Sequence, residues 1–124
     1  MIPYIITEEE YHNLPKNQRT CCVQKSNGDL YFYKEGYNHR DDGPAIITSN
    51  NFKLWFKNGK CHQTDGPACE FPNGEKRWYK EGLLHNTNGP AIEFADGTKE
   101  YRLNNIKYSY TEWYAIVNGL ERFI

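Results

Sequence analysis

Histidine recurs near acidic residues in this chain at a constant interval. His39-Arg40-Asp41-Asp42-Gly43-Pro44-Ala45 is followed by His62-Gln63-Thr64-Asp65-Gly66-Pro67-Ala68 and His85-Asn86-Thr87-Asn88-Gly89-Pro90-Ala91. Imidazole beside carboxylate can move protons at neutral pH or hold a metal ion, so each copy could form a catalytic or metal-binding pair. Two features oppose that. The step is 23 residues both times, and a repeat needs the same corner in every turn, whereas an active site is needed once. The third copy also carries Asn88 in place of the acid. His39, His62 and His85 therefore read as hydrogen-bonding plugs that fix their loops. Gly43, Gly66 and Gly89 would supply positive φ, and Pro44, Pro67 and Pro90 a preset φ. His12 lies outside the pattern.

No other motif points to catalysis. The chain has no Gly-x-Ser-x-Gly, no Walker-type phosphate loop and no His-Glu-x-x-His, the signatures of common hydrolases, nucleotide enzymes and zinc proteases. Cys21 and Cys22 are adjacent, Cys61 and Cys69 stand alone, and no Cys-x-x-Cys pair occurs, which disfavours a zinc site. The thiols read as reduced and structural. No catalytic residue, metal or cofactor is expected, and the chain reads as a non-enzyme.

The elements that carry these loops follow the same step. Gly36, Gly59 and Gly82 share it, as do Phe32, Trp55, Trp78 and Tyr101. A fixed period of this size marks a repeat architecture. Each copy contains a short apolar run, a turn signal (Asn27-Gly28, Asn50-Asn51, Asn73-Gly74, Asp96-Gly97), an aromatic run, and a second turn (Glu35-Gly36, Asn58-Gly59, Glu81-Gly82, Asn104-Asn105). Aromatic runs bounded by Gly and Asn are strands, and Asn-Gly or Asp-Gly favours two-residue hairpins. The expected fold is mainly β: a repeat meander of antiparallel hairpins over residues 21–107. A helical cap over 1–20 and a capping helix over 108–124 complete one structural domain. Phe32, Trp55, Trp78 and Tyr101 are the expected inward face. Side chains alternate along a strand, so Tyr33, Phe56, Tyr79 and Arg102 should point outward.

Capping boxes mark both ends. Thr7-Glu8-Glu9-Glu10 starts a helix that Pro15 ends. Ser109-Tyr110-Thr111-Glu112 starts another, in which Trp113, Ile116 and Val117 form an apolar stripe to seal the last hairpin, with Gly119 as its stop. The first ten residues lack a secretory pattern and no apolar run is long enough to span a bilayer, so the expected address is the cytosol and no membrane partner is expected.

A net charge of −1 exerts no general pull on polyanions, yet aromatics are frequent at 15%. The outward Tyr33, Phe56, Tyr79 and Arg102, flanked by Lys34, Lys57 and Lys80, form the expected contact surface. Tyr and Arg are enriched in protein hot spots, which favours a protein partner. The alternative is a nucleotide-type ligand or nucleic acid, with bases stacked on the aromatics and phosphates near the lysines. A second layer burying this stripe would remove both readings.

The run from Trp78 to Ala91, Trp-Tyr-Lys-Glu-Gly-x-x-His-x-x-x-Gly-Pro-Ala, resembles the MORN-variant repeats, in places described as antitoxin-like. The resemblance covers roughly residues 28–107. It implies a β-hairpin solenoid of a kind found in phages, large DNA viruses and bacteria, and carries no catalytic residues. It further implies a host or competing-defence protein as the partner inhibited, in the host cytoplasm if the source is viral. The fourth copy departs from the pattern, with Asn105 in place of Gly and no Gly-Pro-Ala after it.

Overall fold

The computed structural model describes residues 5–120; the outermost parts of the two expected caps, 1–4 and 121–124, lie outside the described residues. The chain opens with β1 (Ile5–Thr7), α1 (Glu8–His12) and a 3-10 turn (Lys16–Gln18). The first copy contributes β2 (Cys21–Gln24), β3 (Leu30–Lys34) and β4 (Tyr37–Asn38), and the second β5 (Ile46–Ile47), β6 (Lys53–Leu54), β7 (Phe56–Lys57) and β8 (Lys60–Cys61). The third holds β9 (Cys69–Glu70), β10 (Lys76–Arg77), β11 (Tyr79–Lys80) and β12 (Leu83–Leu84). Last come β13 (Ile92–Glu93), β14 (Lys99–Leu103), β15 (Ile106–Tyr108) and α2 (Tyr110–Val117). The fold is mainly β, an antiparallel meander with a short helix near each end, and it does not close into a barrel. None of the described helices is long and apolar enough to cross a membrane.

The main sheet runs β1-β2-β3-β5-β6-β9-β10-β13-β14-β15. β1 pairs in parallel with β2, a contact the repeat pattern did not foretell. From each main strand the chain continues into a small second hairpin, β7–β8 or β11–β12 in the middle copies. Trp55 and Trp78 make the corners. Their N–H groups donate to Ala68 and Ala91 in the main sheet, and their carbonyls accept from His62 and His85 beyond the small hairpin.

The register lays two rows of side chains on opposite faces. One row is Val23, Tyr31, Ile46, Leu54, Cys69, Arg77, Ile92 and Glu100. The other alternates small and large residues: Cys22, Phe32, Ala45, Trp55, Ala68, Trp78, Ala91 and Tyr101. Neighbours directly across strands pack side by side. The buried positions are the small ones: Ala45, Ala68 and Ala91 are 0% exposed, and Cys22 is 1% exposed. Phe32, Trp55, Trp78 and Tyr101 are only half-buried. The expected inward face therefore needs correcting. In the middle copies the rings of Trp55 and Trp78 cover the alanines rather than being covered, whereas at the ends Phe32 lies under the Arg40 guanidinium at 4.1 Å and Tyr101 against Trp113 at 4.9 Å. Ile46, Cys69 and Ile92 fill the opposite face in the same way.

The two turn series also differ from expectation. At the first, the N–H groups of Gly28, Asn51, Gly74 and Gly97 donate to carbonyls three residues back, and the N–H groups of Lys25, Thr48, Phe71 and Phe94 donate to carbonyls four residues on, closing each loop. Only one residue per turn has positive φ, which is the three-residue loop with a bulge rather than the two-residue form. The two-residue form occurs at the second series, where both residues have positive φ in every copy: Glu35 and Gly36, Asn58 and Gly59, Glu81 and Gly82, Asn104 and Asn105. Glutamate pays for φ 50 at position 81 in a way asparagine does not. Glu81→Asn, copying Asn58 and Asn104, should stabilise the protein by about 0.5–1 kcal/mol. Urea melts of the two proteins check this, and an unchanged or lower midpoint would count against it.

Candidate functional site

The repeated histidines reach forward into the next copy. His39 Nδ1 accepts the Asn58 N–H at 3.0 Å, His62 Nδ1 that of Glu81 at 3.0 Å, and His85 Nδ1 that of Asn104 at 3.0 Å. Each donor is the first residue of a two-residue turn, whose backbone twist leaves that N–H without a partner in its own hairpin. The second turn residue donates to the preceding copy as well: Gly59 to Asn38, Gly82 to Cys61, Asn105 to Leu84. In the first copy Thr20 Oγ1 replaces histidine, accepting the Glu35 N–H at 3.0 Å. The ring must be neutral at Nδ1 to accept. These are joints between copies.

The repeated acid is not the histidine's partner. Asp42 takes the Arg40 Nε–H at 2.8 Å, while His39 Nε2 lies 2.9 Å from Asp41, a residue the other copies lack. Among the described residues no three His, Cys, Asp or Glu side chains converge as metal ligands. The loop glycines also differ from expectation: Gly43, Gly66 and Gly89 are not at positive φ. At Gly43 a Cβ would come within 3.0 Å of the Arg40 guanidinium, so space for that side chain explains the glycine. Gly66 has open space around it, and nothing in the structure explains why glycine stands there.

Two expected results follow from these joints. His62→Ala leaves the Glu81 N–H without an acceptor and should cost about 1–3 kcal/mol, read as a lower urea midpoint at constant slope; an unchanged midpoint would remove the structural role. Burial, and then the charge of Lys80, hold the His85 imidazole below its ordinary value of 6.5. A depressed folded value means the unfolded chain takes up the proton first as pH falls. The contribution of His85 is then complete above pH 6.5 and declines as pH drops through the lowered folded value. Melts at successive pH values should show this loss, and His85→Gln should flatten it; an equal fall in both proteins would rule out His85 as its source.

The expected contact stripe is divided. Tyr33 is taken by the N-terminal cap, its ring 4.5 Å from Tyr11 beside the cluster of Ile6, Cys21 and Val23. Burial raises its hydroxyl pKa, with Tyr11 adding to the effect. Arg102 is held by Glu100 at 2.8 Å and by the Asn105 carbonyl at 3.0 Å. Neither is available as the outward stripe required. Phe56 and Tyr79 are half-buried and have a different setting. Each lies in a cleft between successive histidine loops.

The first cleft, about 360 Å³, has Trp55, Phe56 and Lys57 as its floor and the Arg40–Gly43 and His62–Thr64 segments as walls. The second, about 270 Å³, has Trp78, Tyr79 and Lys80 between His62–Thr64 and His85–Asn88. Corresponding positions stand 23 residues apart, so these are two copies of one site. The first volume sits at the lower end of small-molecule pockets and the second just below it. Lys57 and Lys80 are exposed, and among the described residues neither forms an ion pair. Lys34 is exposed too but belongs to neither cleft. The loop residues Arg40, Gln63 and Asn86 were not singled out in the sequence. They share a column and line the clefts although their side chains differ.

Cysteine chemistry is absent from these clefts. Burial, with Cys69 adding to it, pushes the Cys61 thiol up to about 12, and burial pushes Cys69 up to about 11. Both stay protonated at neutral pH and are poor nucleophiles. All four cysteines are unpaired thiols, three of them buried.

Comparison with known proteins finds no matching family model, no matching curated protein and no matching solved structure.

Proposed function

We propose that this chain is a non-enzymatic protein-interaction module whose contact surface is the pair of repeat clefts. One observation carries the reading: Phe56 with Lys57, and Tyr79 with Lys80, present an aromatic ring and an unpaired cation in two equivalent clefts one repeat apart. Rings that form no core, beside lysines that form no ion pair, suit a partner that supplies apolar contact and acceptors. The resemblance to MORN-variant repeats supports a host or defence protein as that partner, with inhibition as the outcome, and it rests on the residue columns alone.

A nucleotide-type ligand or nucleic acid would use the same rings and lysines. Against it, Asp41 and Asp42 are largely exposed at the first cleft, where they would repel phosphate.

The test places a photo-crosslinking amino acid at Lys57, at Lys80 and, as a control, at Lys107, in the full chain in producing cells. One protein captured from the first two positions and not from the third supports the reading. Capture only from Lys107, or of nucleic acid from the clefts, would overturn it.

A further inference from the structure

The two clefts belong to a series of three, and the third is filled by the chain itself. The register that relates Arg40 to Gln63 relates Gln63 to Asn86. The same step relates Trp55 to Trp78 and Trp78 to Tyr101. At the third position Trp113 of α2 occupies the place between them. Its indole Nε1–H donates to the Asn86 carbonyl at 2.9 Å, and its ring lies 4.9 Å from that of Tyr101. Trp113 is 6% exposed. Among the described residues no donor reaches the Arg40 or Gln63 carbonyl. The open clefts thus offer the same two features, a free loop carbonyl and an aromatic floor, in the same register, and in them the floor is the larger indole of Trp55 or Trp78.

From this we infer that each open cleft is a seat for a tryptophan side chain of the protein partner, held as Trp113 is held. The indole N–H meets the carbonyl of Arg40 or Gln63, and the ring lies against Trp55 or Trp78. The inference rests on the interaction reading above and names its anchor. The filled seat also shows how such an anchor is delivered. Trp113 is carried on a helix of eight residues with a capping box, so a short amphipathic helix is long enough. Lys80, beside the second seat, whose lining carries no acidic residue, favours an acidic residue next to the partner's tryptophan there. A second copy of this chain does not meet the requirement, because its own Trp113 is already buried in the third seat.

A buried indole N–H needs an acceptor, and this separates tryptophan from phenylalanine. The test uses the full chain labelled with ¹⁵N and titrated with N-acetyl-tryptophanamide, followed by amide and indole resonances. Saturable shifts are expected at Trp55, Lys57 and Thr64 for the first cleft and at Trp78, Lys80 and Thr87 for the second. The α2 amides should stay in place. N-acetyl-phenylalaninamide should bind roughly two- to tenfold more weakly, the equivalent of one neutral hydrogen bond. Absence of saturable shifts at the clefts overturns the inference, and equal affinity for the two amides overturns the carbonyl-directed seat. Sedimentation at rising concentration tests the other occupant. Self-association that N-acetyl-tryptophanamide reverses would make the occupant a second copy and would overturn the inference as well. A protein that crosslinks from Lys57 and Lys80 while the clefts ignore both amides leaves the interaction module standing and removes only the anchor.

Discussion

Trp113→Ala is expected to lower stability by about 3–5 kcal/mol, the range for removing a large aromatic side chain from a packed site. Three contacts are lost together. The ring packs on Tyr101 at 4.9 Å and on Tyr110 at 5.9 Å, and the indole N–H leaves the Asn86 carbonyl. The loss is large against the roughly 5–15 kcal/mol that holds a domain together. In a stacked-repeat protein the terminal copy needs its cover. Opening should therefore start at β13–β15, where amide exchange should rise first. Trp113→Phe keeps most of the packing and drops the hydrogen bond, so it should cost only about 1 kcal/mol. Urea unfolding of the two variants separates the contributions. An alanine variant within about 0.5 kcal/mol of the parent, the usual spread for surface changes, would mean that α2 does not seal the sheet.

The local parts of this architecture were legible because each is fixed by residues close in sequence. Thr7 with Glu10 and Ser109 with Glu112 form the two capping boxes that their spacing announced. The 23-residue step gave the meander. What the sequence hid depends on the neighbouring copy. Each histidine is hydrogen-bonded to a turn 19 residues downstream, and the plug was expected to fix its own loop. The step could have revealed the link, since the histidine and turn columns advance together. Alternation assigned Trp55 and Trp78 to one face correctly, but it carries no information on whether a second layer covers that face. The alanine that ends every loop motif was the better signal of burial. The strand β1 is three residues long and follows no period, so its parallel pairing left no mark. Nor does any spacing announce that Trp113 falls into the register of the clefts; that follows only from where the last hairpin ends. Tyr33 departs from its column for a related reason. It shares a column with Phe56 and Tyr79, but it stands in the copy that the N-terminal cap covers.

Replacing Phe56 and Tyr79 with serine should weaken partner binding by at least about 2 kcal/mol for each ring that acts as an anchor, roughly thirtyfold apiece. Both residues line open clefts and are half-buried, and neither belongs to the most deeply buried positions, Cys21, Cys22, Val23, Ala45, Ala68 and Ala91. The sheet should therefore survive the change. Circular dichroism and a thermal melt of the double variant settle that point before any binding is measured. If the variant unfolds, the rings were core after all, and the surface has to be sought at the lysines or on α2, where Tyr110, Tyr114 and Ile116 are exposed. If it folds and binds as the parent does, the clefts are not the contact. Single variants then report how the two sites are used. A partner that engages both clefts at once should lose more in the double variant than in either single one, whereas a partner seated in one cleft should respond to only one. Salt separates the partner classes in the same experiment. Apolar anchoring should change little between low and moderate ionic strength, while a nucleic acid held by Lys57 and Lys80 should release steeply as counterions compete. Steep release together with a silent double variant would move the function from the rings to the lysines.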